Sequence, residues 1–182
     1  MKINELPKKI SVFPLSNFIM FPGTTVPLNI FEPRYLQMVN DSMKNNRMIG
    51  MIQPKKSGML KKPDLYEVGC MGKITSFNET EDGRILIILN GVCRFKIISE
   101  IKTDKLYREC NVEYTDFSDD MSQKSNEVNF NDLSIIMENM KKFFKKQGYI
   151  VNLKDLEKKD LNQTLNDLSM ASPFSLEEKQ IL

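Results

Sequence analysis

The feature that most constrains this chain is a pair of apolar runs joined by Glu79-Thr-Glu-Asp-Gly83. Asp-Gly between two such runs is a strong hairpin signal, because glycine supplies the positive φ that a tight turn needs. The spacing predicts strands over residues 66–78 and 84–90. Ile85 to Leu89 is apolar at every position. That predicts burial on both faces, with Ile85, Ile87 and Leu89 on one side, Leu86 and Ile88 on the other, and both sets covered. Gly91 permits a bend before a further strand over 93–101, and 107–114 reads as the last strand.

Upstream, the chain is punctuated by proline and glycine. Ile10 to Leu15 is a short strand, and Pro14 gives it an edge or bulge character because proline cannot donate to a ladder. Phe18-Ile-Met-Phe21 reads as a second extended segment, ended by the turn signal Pro22-Gly23. Alternate residues of an extended segment point to opposite faces. One pair, Ile19 with Phe21 or Phe18 with Met20, is then expected inside, and the other needs a second cover or stays available. Thr24–Ile30 is a third strand. A helix opens at Pro33, a residue suited to the first helical position, and Tyr35, Leu36, Met38, Val39 and Met43 give it an apolar face. Met48–Gln53 is a strand, followed by a basic loop over 54–63 that contains Met59 and Leu60.

The second half changes character. Residues 115–128 are polar and poor in helix formers, which reads as a linker. Asn131 or Asp132 caps a helix running to Gln147, with Gly148 placed to end it. Leu133, Ile136, Met140, Phe143 and Phe144 form its apolar stripe, and Lys141, Lys142, Lys145 and Lys146 form a solvated opposite face. A further helix covers Leu161–Met170. Ser175-Leu-Glu-Glu178 is a capping-box pattern. The chain stops at Leu182, barely two turns into that third helix. Either that helix docks firmly or the sequence is a piece of a longer protein. The expected organisation is a β subdomain over 1–117, a linker over 118–128 and a helical subdomain over 129–182.

Several chemistries are unavailable. There is no histidine among the 182 residues, which removes Ser-His-Asp and Cys-His mechanisms. Cys70, Cys93 and Cys110 are scattered, so no Cys-x-x-Cys pair or all-cysteine metal site is expected. They read as small buried apolar residues. Gly69-Cys-Met-Gly-Lys-Ile74 has the wrong spacing for a phosphate-binding loop, and Ile74 stands where a hydroxyl is required. Asp119 and Asp120 fall in the expected linker, where nothing holds them in register. No cofactor and no metal are expected. The net charge of +2 creates no field for nucleic acid or an anionic membrane. The N-terminus has no apolar signal-peptide core and no run approaches a membrane span, so a cytoplasmic location is expected. Oligomeric state leaves no signal in the sequence.

Four phrases in order carry a family resemblance. Ile30-Phe-Glu-Pro-Arg-Tyr35, Leu65-Tyr-Glu-Val-Gly69, Gly91-Val-Cys-Arg94 and Ser175-Leu-Glu-Glu-Lys-Gln180 together resemble the N-terminal domain of the ATP-dependent Lon proteases. They are more closely similar to the small proteins that carry this domain alone. The resemblance implies an α+β fold: a six-stranded PUA-like β-barrel with one early helix, then a C-terminal helical bundle that is cut short here. It implies a non-catalytic module that holds unfolded or partner polypeptides, without the ATPase module or the segment bearing the protease nucleophile. An apolar grip formed by Phe18, Ile19, Met20 and Phe21, assisted by Met59 and Leu60, is the expected binding surface. The alternative is RNA binding, because PUA-like barrels often bind RNA and Lys55, Lys56, Lys61 and Lys62 make the loop basic. The near-neutral net charge speaks against it.

Overall fold

The computed structural model describes residues 3–55, 62–121, 130–146, 148 and 161–182. The chain divides into two compact units, Met1–Ser122 and Gln123–Leu182.

In the first unit a short 3-10 helix, Ile3–Glu5, precedes β1 (Lys9–Pro14) and β2 (Thr25–Ile30). Helix α1 (Pro33–Met43) follows, then β3 (Met48–Ile52), β4 (Val68–Glu79), β5 (Ile85–Ile101) and β6 (Arg108–Glu113). The six strands form one sheet in the order β2-β5-β4-β3-β1-β6. All pairings are antiparallel except β1 with β3. The second half of β5 also pairs with β6. The expected six-stranded barrel is therefore not closed: β2 ends the sheet order, bonded to β5 on one side, and the return from β6 to β5 passes it by.

The expected break at Gly91 is also absent. β5 runs unbroken for 17 residues. Opposite β4, Met71 pairs with Cys93 and Gly72 with Gly91, so Val92 is an extra residue. A bulge takes up the bend and raises the local twist without ending the strand. Thr75 and Ile98 are extra residues of the same kind.

The core lies on the inner face of this curved sheet. Val12, Met71, Cys93, Phe95 and Cys110 are wholly enclosed there. The Phe95 ring needs Gly69: a Cβ at that position would sit 2.7 Å from the ring and 2.5 Å from the Met51 carbonyl oxygen. Every residue of β3 is buried, and α1 buries Tyr35, Met38, Val39 and Ser42. Ile85, Ile87 and Leu89 are buried as expected, but Leu86 and Ile88 are 42% and 37% exposed. The continuous apolar run does not have two covered faces. Outward neighbours of Leu86 are Asn29 and Asn78, and those of Ile88 are Pro27 and Ser76. This is the solvated face of an antiparallel sheet.

Residues 115–121 form a 3-10 helix rather than a free linker. Phe117 and Met121 pack on the core. Asp120 is held firmly, contrary to the expectation for that acidic pair. It accepts from the Arg94 backbone N–H at 2.8 Å and from the guanidinium at 3.0 and 2.8 Å. Residues 122–128 of the expected linker lie outside the described residues.

The second unit contains α2 (Phe130–Lys146), α3 (Leu161–Ala171) and α4 (Leu176–Ile181). Phe144 and Leu168 are buried with Met137 and Met140 against them. Phe143 and Phe174 stack at 5.3 Å. The side chains of Leu133 and Ile136 lie outside the described set. Gly148, at φ +80°, donates to the Lys145 carbonyl at 3.1 Å, and Lys141, Lys142, Lys145 and Lys146 are exposed. Both capping-box bonds between Ser175 and Glu178 are formed at the start of α4. The six-residue α4 is too short to hold itself, and Lys179 ties it to the Met170 carbonyl at 2.7 Å.

Candidate functional site

The Phe18–Phe21 segment lies between β1 and β2 and is not a strand. Met20 and Phe21 are both buried, at 4% and 7% exposure, while Phe18 and Ile19 are half-buried. Neither of the two alternating pairs is realised, since adjacent residues turn inward together. The reason lies in how the chain is turned and pinned. Asn17 takes the left-handed conformation, φ 62°, which asparagine tolerates better than most residues. Before it, Leu15 N–H donates to the Ile52 carbonyl at 3.1 Å. After it, the Thr24 hydroxyl donates to the Phe21 carbonyl at 2.6 Å.

Gly91 is the seat for this turn. Gly23 N–H donates to the Gly91 carbonyl at 2.9 Å, and Gly91 N–H donates to the Thr24 carbonyl at 2.8 Å. A Cβ on Gly91 would lie 2.2 Å from the Phe21 carbonyl oxygen. The sequence marks Gly91 as a site of bending, and the structure makes it a site of close backbone approach instead.

Gln53, which the sequence did not single out, joins this turn to the basic loop. Its side chain is buried. Turned so that nitrogen faces carbonyl, its amide donates to Leu15 at 3.1 Å and to Phe18 at 3.2 Å. Its own carbonyl accepts from Tyr66 N–H at 3.0 Å. The loop base is closed by Lys55 N–H donating to the Asp64 carbonyl at 2.7 Å and by a bridge between Pro54 and Leu65. Arg108 donates to the Pro63 carbonyl at 2.7 Å and pairs with Glu100, which also pairs with Lys62. Met59 and Leu60 lie outside the described residues. The structure therefore brings Phe18 and Ile19 to the root of the loop that carries them.

The reactive groups of this unit are quiet. Burial pushes the Cys93 thiol up to about 12 and the Cys110 thiol up to about 11, and raises Cys70 further still. Neutral thiols of this kind are poor nucleophiles and poor metal ligands. Among the described residues no group of three or more cysteine or carboxylate side chains could hold a metal ion. No helix among them is long and apolar enough to cross a membrane.

The fold and this surface define an α+β domain that displays a pinned apolar turn beside a tethered loop. The family model for the substrate-binding domain of the ATP-dependent protease La (LON) matches residues 9–182, and the chain belongs to that family. It is 26% identical to Lon protease 1 of Hydrogenovibrio crunogenus over its whole length, covering 23% of that protein. It is 30% identical to the Lon protease of Desulfosudis oleivorans over 56% of the chain, covering 13% of that protein. The chain thus spans less than a quarter of the length of these relatives. Its fold is similar to that of a Lon N-terminal domain protein from Xanthomonas campestris, with a TM-score of 0.67 at 20% identity over 95% of this chain and 88% of that one. The N-terminal domain of a Mycobacterium avium complex Lon protease gives 0.57 at 12% identity, over 96% of this chain and 88% of that one.

Proposed function

We propose that this chain is a non-catalytic polypeptide-binding module that grips unfolded or partner polypeptides through apolar contact. The observation that carries the reading is the pinned turn. Met20 and Phe21 anchor it, and Phe18 and Ile19 stay half-exposed at the root of the loop bearing Met59 and Leu60. Anchored apolar side chains of this kind lose little entropy when a client docks, and methionine adapts to varied partners. The family match supports recognition of protein substrates as the role. We infer no peptidase or ATPase activity, and a cytoplasmic location. The finer fold reading, a PUA-like sheet that is not a closed barrel, followed by a helical bundle, rests on the resemblance. The division into a β subdomain and a helical subdomain over 129–182 is proposed from the change in composition along the chain, with the expected linker shortened because residues 115–121 form a 3-10 helix.

RNA binding is the less favoured reading. Many described cations are already engaged: Lys9, Lys62, Lys105, Arg34, Arg94 and Arg108 all pair with carboxylates. The test is a titration of the full chain with a reduced, unfolded client protein. Phe18→Ser with Ile19→Ser, folded by circular dichroism, is expected to weaken binding about tenfold, as loss of an interface anchor does. Met59→Asp with Leu60→Asp is expected to do the same. Undiminished binding in the first variant ends the reading. Micromolar binding of structured RNA that collapses with salt would replace it.

A further inference from the structure

A recessed feature lies on the outer face of β1 and β6, beneath the C-terminal end of α1. It is a half-open cleft of about 240 Å³. Ser11 and Glu109 are cross-strand partners on its floor, and Tyr107 stands two residues along the same face. Ser42 of α1 meets Ser11 hydroxyl to hydroxyl at 3.4 Å. Asp41 accepts from the Tyr107 hydroxyl at 2.8 Å. A helix resting on a sheet normally buries apolar side chains there. Here it covers a carboxylate, since the Glu109 side chain is only 8% exposed. Burying a charge in this way is costly, and such groups concentrate at functional sites.

The occupants of the cleft reveal its preference. One Glu109 oxygen takes the Lys9 ammonium at 3.2 Å and the other takes Lys105 at 3.0 Å. Lys105 also lies 4.0 Å from Asp41 and 5.1 Å from the centre of the Tyr107 ring. Two carboxylates and an aromatic face thus converge on one cation. Lys105 and Lys9 remain 40% and 56% exposed, so either can swing into solvent. A carboxylate has about four acceptor positions, and a single lysine on each oxygen leaves Glu109 with capacity to spare.

We propose that this cleft is a binding site for the guanidinium of an arginine side chain carried by a client polypeptide, with Lys105 as its resident stand-in. A guanidinium suits the site better than an ammonium. It is planar, stacks on an aromatic ring, bonds a carboxylate with two parallel N–H groups and is more weakly hydrated. The site deepens the polypeptide-binding reading and rests on it for the source of the arginine. It would give a mainly apolar grip a charge-selective contact.

The experiment is backbone-amide NMR on the full chain, titrated with N-acetyl-arginine amide and with its neutral citrulline analogue. Saturable shifts specific to the arginine probe are expected at Ser11, Ser42, Tyr107 and Glu109. Lys105→Met removes the competitor and is expected to tighten binding about three- to fivefold, the worth of a surface ion pair. Adding Glu109→Gln is expected to abolish that gain. Because Glu109 is buried, Asp41→Asn is the second variant, and it is expected to weaken binding in a protein that stays folded. Absence of saturable shifts in Lys105→Met, or equal shifts from the citrulline analogue, overturns the site. An unfolded arginine-bearing peptide that binds no tighter than its citrulline counterpart overturns the client as source. Failure of the apolar turn would instead appear as unchanged client binding in the Phe18 and Ile19 variant, with these cleft shifts intact.

Discussion

Replacing Gly91 with alanine tests whether the apolar turn is truly seated on β5. The new methyl carbon would lie 2.2 Å from the Phe21 carbonyl oxygen, 3.1 Å from the Phe21 carbonyl carbon and 3.2 Å from Pro22 Cα. All three are backbone atoms, so no side chain can rotate away. Restoring ordinary contact requires the turn to move by about 1 Å, and overpacking of this kind costs about 1–3 kcal/mol. The same movement stretches the two hydrogen bonds between Gly91 and the turn, now 2.9 and 2.8 Å, each worth about 1 kcal/mol. The terms overlap, so the expected loss is about 2–4 kcal/mol. For a chain of this size that lowers Tm by about 5–15 °C. Gly83→Ala is the matched control. Gly83 has φ +79° and nothing within 4 Å of its would-be Cβ, so only left-handed strain of about 1–2 kcal/mol applies. Urea unfolding followed by circular dichroism and by tyrosine fluorescence gives both numbers. If the Gly91 variant lies within about 0.5 kcal/mol of wild type, the turn does not depend on this close approach.

Three further outcomes follow from burial and charge. Leu86→Lys and Ile88→Lys should each change stability by less than about 0.5 kcal/mol, because both face solvent, whereas Ile87→Ala should cost about 2–5 kcal/mol; denaturant midpoints would expose the reverse order. Burial alone would raise Glu109, but hydrogen bonds from Lys105 and Lys9 outweigh it and hold its carboxyl below the ordinary 4.5, and Arg108 and Lys62 do the same for Glu100. Each therefore contributes stability that is fully present above 4.5 and is lost as pH falls through the lowered folded value; Glu109→Gln should flatten that acid limb, and an unchanged stability–pH curve would contradict the assignment. Cys70, Cys93 and Cys110 should stay silent to Ellman's reagent at pH 8 until the chain unfolds, since only the thiolate reacts; a fast native-state reaction at any of them would refute the burial that raises their pKa.

The sequence by itself determined the elements whose signals are local. Pro33 and the apolar spacing after it placed α1 at Pro33–Met43. Ser175 with Glu178 placed the start of α4, and Asp82-Gly83 placed the β4–β5 turn. Each rests on residues within a few positions of one another, so turn and cap chemistry is enough. Four family phrases in order pointed to the Lon substrate-binding domain, and the family match bears this out. Only the tertiary structure decided the rest. Ile85 to Leu89 reads as buried on both faces because strand composition cannot report what lies above the sheet, and here Asn29, Asn78 and Ser76 surround the outward residues. Phe18 to Phe21 reads as alternating because nothing nearby in sequence says that Gly91 and Gln53 will hold it as a turn. Asp120 reads as loose because its partner, Arg94, is 26 residues away. The parallel pairing of β1 with β3, the return of β6 onto β5, and the gathering of Glu109, Asp41, Tyr107 and Lys105 under α1 have the same origin. They are contacts between distant segments, set by which faces must be buried together, and no local pattern encodes them.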